Sequence, residues 1–355
     1  MYEFLQNLIG IDIVAYIIAA ALPLAFIVPF VIIGVYLERK VAGHMQDRLG
    51  PMRVGYHGLL QTVADFIKLV QKEDIIASDA DKKLFILAPI LVFTGSYAAY
   101  AALPFSSGYI GSSVDVGIFF VVAISSLVVA GLLMAGWASN NKYSLYGAMR
   151  SAAQIISYEI PTALVILSII MITGTMSLSE MSEMQTAWFW NWQIFGGATL
   201  GLTKFLMIPF MIIAFIIIYI SSLAEVNRTP FDMPEAESEL VSGYHTEYSG
   251  MKFSIFFLAE YANMFAVSAI VSILFFGGYQ SPFGYLGHTL NIDWLVPFEQ
   301  LFWFAAKGLF FVFVQMWLRW TLPRVRVDQL MTICWKYLIP YAFLNLIIIG
   351  IITLI

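Results

Sequence analysis

Phe205-Leu-Met-Ile-Pro-Phe-Met-Ile-Ile-Ala-Phe-Ile-Ile-Ile-Tyr-Ile-Ser-Ser-Leu223 runs for 19 residues without a charge. It gives way at once to Ala224-Glu-Val-Asn-Arg-Thr-Pro-Phe-Asp-Met-Pro-Glu-Ala-Glu-Ser-Glu-Leu-Val-Ser-Gly-Tyr-His-Thr-Glu-Tyr-Ser-Gly250. The first part is long enough to cross the hydrocarbon of a bilayer, which takes about 17–25 mostly apolar residues. The second carries six carboxylates (Glu225, Asp232, Glu235, Glu237, Glu239, Glu247) against a single Arg228. Acid of that density beside a bilayer is costly unless water, protons or a partner uses it.

The rest of the chain matches the first part. Of its 355 residues 60% are hydrophobic and 12% charged, and the mean hydropathy is +0.83, which is the composition of a polytopic membrane protein. Eight segments are predicted to span: Ile13–Leu37, Leu84–Pro104, Val116–Gly136, Ile155–Thr175, Phe205–Leu223, Phe253–Phe276, Glu299–Leu318 and Tyr337–Ile355. The first is too long and too weakly basic at its start to read as a cleaved leader, and is expected to be a permanent helix. The expected fold is therefore all-α and integral to the membrane, one polytopic domain over 1–355 with eight transmembrane helices. Of the 18 Lys and Arg residues, 16 fall in the first, third, fifth and seventh loops, at about 38–83, 137–154, 224–252 and 319–336. By the positive-inside bias these loops face the cytoplasm (or matrix), and both termini lie on the opposite, periplasmic side of an inner membrane.

Several chemistries find no support. The lone Cys334 provides for neither an internal disulfide nor a cysteine-ligated iron–sulfur cluster, and the four His residues (44, 57, 245, 288) all lie in loops, away from any haem inside the bundle. Neither a dinucleotide glycine fingerprint nor a phosphate-binding loop is present. Any redox cofactor is expected in other subunits.

Within loop one, Gly58 to Lys72 has apolar residues at 59, 60, 63, 66, 67 and 70 and polar ones at 61, 65, 68 and 72. This spacing predicts a short amphipathic surface helix with Asp65 and Lys68 one turn apart; a helix that only packs on the loop has the same periodicity. Loop five cannot be one regular helix, because Pro230 and Pro234 remove donors, so its acids are expected on an irregular, hydrated surface. Loop four (Met176–Lys204) holds Trp188, Trp190 and Trp192 and reads as an interfacial aromatic belt. There is no internal repeat to suggest an inverted-repeat transporter.

Glu159 lies early in the fourth span, in Ser157-Tyr158-Glu159-Ile160-Pro161. Pro161 cannot donate to the carbonyl of Ser157, which is expected to loosen the helix beside the acid. Glu225 ends the fifth span and Glu260 lies inside the sixth. Carboxyls placed so are candidates to take up and release protons, or else neutral groups hydrogen-bonded between helices. Lys307 in the seventh span either pairs with one of these acids or snorkels. Arg319, Arg324 and Arg326 follow that span, and Arg39, Arg48 and Arg53 follow the first; positive-inside anchoring alone would account for them.

Taken together these motifs resemble one family. Glu38-Arg-Lys-Val-Ala-Gly-His-Met-Gln-Asp-Arg-Leu-Gly-Pro51 is similar to the signature after the first helix of the quinone-site membrane subunit of respiratory complex I, the proton-pumping NADH:quinone oxidoreductase. That subunit is called 1 in mitochondria and H in bacteria. Trp137-Ala-Ser-Asn-Asn-Lys-Tyr143, Tyr158-Glu-Ile-Pro161, Ala224-Glu-Val-Asn-Arg-Thr-Pro-Phe-Asp232, Glu235-Ala-Glu-Ser-Glu-Leu240 and Arg324-Val-Arg-Val-Asp-Gln-Leu-Met331 carry the resemblance to the last span.

The resemblance implies a chain at the heel of an L-shaped complex, whose cytoplasmic loops form the membrane-side wall of a quinone chamber. Glu38, Arg39, Arg48, Asp65, Arg228, Asp232, Glu235, Glu237 and Glu239 would line it. Glu159, Glu225 and Glu260, with Lys307, would carry coupling toward antiporter-like pump subunits by way of small membrane subunits. Lys142, Arg150, Arg319, Arg324, Arg326 and Asp328 would be charge partners or contacts to the peripheral arm. Quinone (ubiquinone or menaquinone) would be the substrate, while FMN, NADH and the iron–sulfur clusters would belong to partner subunits, including the one with the terminal cluster. The chain departs from the family's usual residues at Met52, Tyr56 and Thr62, all at the chamber entrance. Rival readings are the equivalent subunit of a membrane-bound hydrogenase or formate hydrogenlyase, a stand-alone ion transporter, and a structural anchor.

Overall fold

The structure, a computed structural model, describes residues 12–110, 114–186, 188–197, 202–234, 236–289 and 292–354. Eight helices among these residues are long and apolar enough to cross a membrane. They are α1 (Asp12–Met45), α3 (Lys82–Ala98), α4 (Gly117–Ala138), α5 (Lys142–Thr173), α6 (Leu202–Glu225), α7 (Gly250–Phe275), α8 (Val296–Thr321) and α9 (Val327–Leu354). The surface helix of loop one, α2, spans Gln61–Gln71. A two-stranded hairpin, β1 (Pro104–Ser106) and β2 (Tyr109–Ile110), lies between α3 and α4. The chain is a multi-pass, all-α membrane protein.

Helix ends differ from the hydropathy windows in an instructive way. α1 continues through Glu38, Arg39 and Lys40 to Met45, and α5 starts at Lys142, so both carry charged turns beyond the apolar run. At 32 residues α5 is about 48 Å long, against roughly 30 Å of hydrocarbon. A helix satisfies its own backbone in water as well as in lipid, so hydropathy marks where the bilayer ends, not where the helix does. Arg150 therefore stands on a helix and not in a loop.

α7 is the central element: it buries 72% of its apolar window, against 22% for α1 and α9. Phe265 at its middle packs its ring against Phe26 (4.8 Å between centroids) and Phe30 (5.0 Å) of α1, Tyr100 (6.2 Å) after α3 and Phe304 (6.2 Å) of α8. Between α3 and α4 the backbones approach closely. A Cβ on Gly131 would come 2.6 Å from Val92 Cγ2 and 3.0 Å from its amide nitrogen, the small-residue packing expected where lipid offers no hydrophobic drive.

Pro161 does not break α5. The carbonyl of Ser157, which the proline leaves without its donor, accepts from the thiol of Cys334 at 3.1 Å, 177 residues away. Cys334 can reach because α9 passes through a π-helical turn at Ile333–Leu338, and such turns re-aim side chains. The lone cysteine thus completes the helix beside Glu159, which tightens a site the sequence read as loosened. Among the tryptophans, Trp188 and Trp190 are exposed as a belt would be, but Trp192 turns inward under Lys307.

Candidate functional site

Five groups meet where α1, loop five, α7 and α8 converge. Arg228 Nη1 donates to Glu38 Oε1 and Oε2 at 3.1 and 3.2 Å, and its Nε lies 2.9 Å from Glu260 Oε1. Arg319 and the Tyr261 hydroxyl both donate to Glu38, and the Arg228 guanidinium stacks 4.4 Å above the Tyr261 ring. Glu38, Arg228 and Tyr261 are 5%, 3% and 2% exposed, so this is a desolvated network. Two carboxylates and two guanidinium groups balance it, which is the condition under which charges tolerate burial. Burial alone would lower the pKa of Arg228, but Glu260 and Glu38 beside it hold it well above its ordinary value. The sequence assigned these residues to three separate roles; the structure brings Glu38, Arg228, Glu260 and Arg319 into one. Tyr261 was missed, although it directly follows Glu260 in an apolar helix.

Three members of the network, Glu38, Tyr261 and Arg319, line an open cleft of about 230 Å³ together with Val35, Arg39, Arg48, Phe257 and Trp320. Arg39 leaves α1 toward the surface helix and pairs with Asp65 at 2.5 Å; Gln61 also donates to Asp65, at 3.1 Å. Partial burial pushes the Asp65 carboxyl up. The bonds from Arg39 and Gln61 and the charges of Arg39 and Lys68 outweigh this and hold it below the usual carboxylate range. The turn and helix start beside this clasp carry the three departures. Lys40 Nζ donates to Met52 Sδ at 3.0 Å, Tyr56 is exposed edge-on to His57, and Thr62 is buried at the start of α2. Here Gly58 has φ +81°, and a Cβ on it would lie 2.2 Å from the Pro51 carbonyl oxygen, so the turn requires glycine.

Loop five is held by α5 and by the segment before α9. Gln154 Nε2 of α5 donates to the carbonyls of Ala224 (2.7 Å) and Phe231 (2.8 Å) and to Asn227 Oδ1 (3.1 Å), and the Val325 amide donates to Pro230 O at 3.0 Å. Tyr158 ties α5 to α9 by donating to Leu330 O at 3.0 Å. Neither Gln154 nor Tyr158 stood out in the sequence. The loop acids carry arginine partners: Asp232 pairs with Arg324 at 2.9 Å and Glu239 with Arg150 at 2.6 Å. Glu247 accepts from Asn141 at 2.7 Å. Glu235 lies outside the described residues; Glu237 begins the short helix Glu237–Leu240. Lys142, Arg326 and Asp328 are exposed.

A second cavity, of about 40 Å³, lies between α4, α5, α6 and α7 and is lined by Glu159, Glu225, Ser125, Thr162 and Ser222 with apolar side chains between them. That volume is large enough for a water molecule beside polar partners. Ser125 Oγ donates to Glu159 Oε1 at 3.4 Å. Glu159 and Glu225 thus share one chamber, whereas Glu260 does not line it and points to Arg228. Lys307 pairs with no acid among the described residues; it donates to three backbone carbonyls on the far side of the bundle.

Comparison with known proteins gives this geometry its context. The family model described as NADH dehydrogenase matches residues 18–350. A relative from Chlorobaculum tepidum, named as the H subunit of NADH-quinone oxidoreductase, is 52% identical over 94% of this chain and 91% of its own. A relative from Cytophaga hutchinsonii with the same name, numbered 2, is 47% identical over 92% and 96%. One from Rickettsia prowazekii is 45% identical over 98% and 94%. With a family model covering nearly its whole length and relatives this close, the chain belongs to the family of the NADH-quinone oxidoreductase H subunit, a membrane component of the proton-translocating complex I.

Proposed function

We propose that the acidic face of this chain forms the membrane-side wall of the quinone chamber, and that the buried five-group network transmits the redox state of quinone to the acids in the bundle. The face would be cytoplasmic, in a bacterial inner membrane, where it meets the peripheral-arm subunits that hold the terminal iron–sulfur cluster and, further out, FMN and NADH. Arg39, Arg48 and Trp320 would border the quinone path. The pairs Asp232–Arg324 and Glu239–Arg150 would form its floor under the peripheral arm, with Glu235 and Glu237 beside them and Lys142, Arg326 and Asp328 as arm contacts.

The observation that carries this reading is Glu38. It faces the open cleft and is bound by Arg228, Arg319 and Tyr261 at once, with Arg228 bound in turn to Glu260. Quinone reduction brings negative charge into the cleft and takes up two protons. Charge interactions scale inversely with effective dielectric constant, so a desolvated, charge-balanced network next to that event responds where a wetted one would not. Any shift of the guanidinium groups toward the cleft weakens their hold on Glu38 and Glu260. Loop five, anchored at Arg228, would carry the change to Glu225 three residues earlier and so to the Glu159 cavity, from which the small membrane subunits lead to the pumps.

Arg39→Ala in the assembled complex tests the chamber assignment. It is expected to lower quinone turnover about tenfold, the effect of roughly 1.4 kcal/mol, while electron transfer from NADH to a soluble acceptor, which needs only the peripheral arm, persists. Because Asp65 has a depressed pKa, the Arg39–Asp65 clasp is complete above the ordinary carboxylate pKa and is lost as pH falls through the depressed one. The KM for quinone should therefore rise on the acid side in the wild type and lose that dependence in R39A. Unchanged quinone kinetics would remove Arg39 from the chamber.

A further inference from the structure

Lys307 lies on the face of α8 toward α7, eleven residues, or about 16 Å, in from Val296. Its ammonium donates to the carbonyl oxygens of Phe276 at 2.6 Å, Gly278 at 3.0 Å and Gln280 at 2.6 Å, which uses all three of its donors. The Trp192 ring lies 4.4 Å away and completes the site, an arrangement that favours a cation. This cage is built. After α7 ends, Gly277 (φ +74°) and Gly278 (φ +51°) fold the chain back so that its carbonyls converge. The amide of Gly277 donates to Gln185 Oε1 at 2.9 Å, and Gln185 also donates to Ile273 O at 2.7 Å. A Cβ on Gly277 would come 2.7 Å from Trp192 Nε1, and one on Gly278 2.3 Å from Ser182 Oγ.

Polar groups stand along the seam of α7 and α8 between the five-group network and this cage, with the buried Phe311 ring, 5.0 Å from that of Phe276, one turn from both Gln315 and Lys307. Positions 307, 311, 315 and 319 recur every four residues and share one face of α8. Arg319 binds Glu38. One turn away, Gln315 Nε2 donates to Ser268 Oγ at 3.0 Å. Gln315 Oε1 and Ser272 Oγ, one turn along α7 from Ser268, are buried without a partner, at 1% and 0% exposure. Orphaned buried polar atoms are where ordered water binds, and a seam wetted at these two atoms would be a route for proton leak once it reached the opposite face.

We infer that Lys307 is a charged plug: its ammonium, fixed by three carbonyls and Trp192, closes the α7–α8 seam to protons at the end remote from the network. Fixed cationic groups exclude protons in the same way in other membrane pores. The inference rests on the chain's place in a proton-translocating complex and not on the quinone-chamber reading.

The test uses the whole complex in liposomes, with passive proton entry driven by a potassium diffusion potential and no NADH present. Lys307→Gln keeps amide donors for the carbonyls and removes the charge; Lys307→Arg keeps the charge. K307Q is expected to raise passive proton permeability at least tenfold over wild type and K307R to stay near it. Adding Gln315→Leu to K307Q should remove most of the leak. An assembled K307Q as proton-tight as wild type overturns the inference. High-resolution density of the unaltered complex decides it independently of any variant: water between Ser272 and Gln315 that stops at Lys307 supports the plug, and a dry seam refutes it. Neither readout involves quinone, so a failure here leaves the chamber reading standing.

Discussion

Arg228→Met is expected to abolish quinone reduction in the assembled complex and to destabilise the membrane arm. The side chain is 3% exposed and binds Glu38 and Glu260 together. Removing one partner from a buried ion pair costs about 3–5 kcal/mol, because the other charge is left desolvated. Glu38 would keep Arg319 and Tyr261, and Glu260 would lose its ion pair with Arg228. Two comparisons separate this from nonspecific damage. Arg228→Lys retains a charge without the fork that spans both carboxylates and should fall between wild type and R228M in thermal stability. Glu260→Gln in the R228M background should recover part of the loss, since it removes a charge that Arg228 no longer balances, and the double-mutant cycle measures that coupling directly. Additive effects of the two substitutions would dissolve the network as a unit.

Glu225→Gln is the second large expectation. It keeps the shape of the side chain in the 40 Å³ cavity that Glu225 shares with Glu159 and removes its capacity to take up and release a proton there. Positioned proton transfer contributes roughly 10²–10⁴-fold to the steps that use it. Coupled quinone turnover in E225Q should therefore drop by about two orders of magnitude and proton pumping should fall with it, while NADH oxidation by a soluble acceptor continues. Each charge moved against the membrane potential needs about 2.3 kcal/mol per 100 mV, so a coupling element that cannot change charge cannot do this work. Normal turnover with normal pumping would take Glu225 out of the path.

The spans were legible because a bilayer imposes length and apolarity on any helix that crosses it, and all eight windows correspond to helices. The surface helix was legible from its period, shortened at its start because Gly55 and Gly58 hold the preceding turn at positive φ. What escaped was set by partners distant in sequence or by backbone atoms. Nothing near Pro161 announces that Cys334 will satisfy the carbonyl of Ser157. Nothing near Lys307 announces three converging carbonyls in place of a carboxylate, because backbone acceptors leave no mark in composition. The acids and arginines of the candidate site were each recognisable, whereas their grouping was not. Glu38, counted with the chamber, and Glu260, counted with the proton path, prove to share one arginine. Tyr261 and Gln154 passed as ordinary residues of apolar helices, and the only available signal was their place beside Glu260 and near Glu159.

The most direct measurement is the infrared difference spectrum of the reconstituted complex between oxidised and reduced quinone, recorded for the wild type, E225Q and E159Q. Coupling through these acids predicts a carboxyl signal that changes with the redox state of quinone in the wild type and is lost or altered in each variant. A spectrum showing the quinone's own bands with no carboxyl change would contradict it, and the buried acids would then serve only to hold the bundle together.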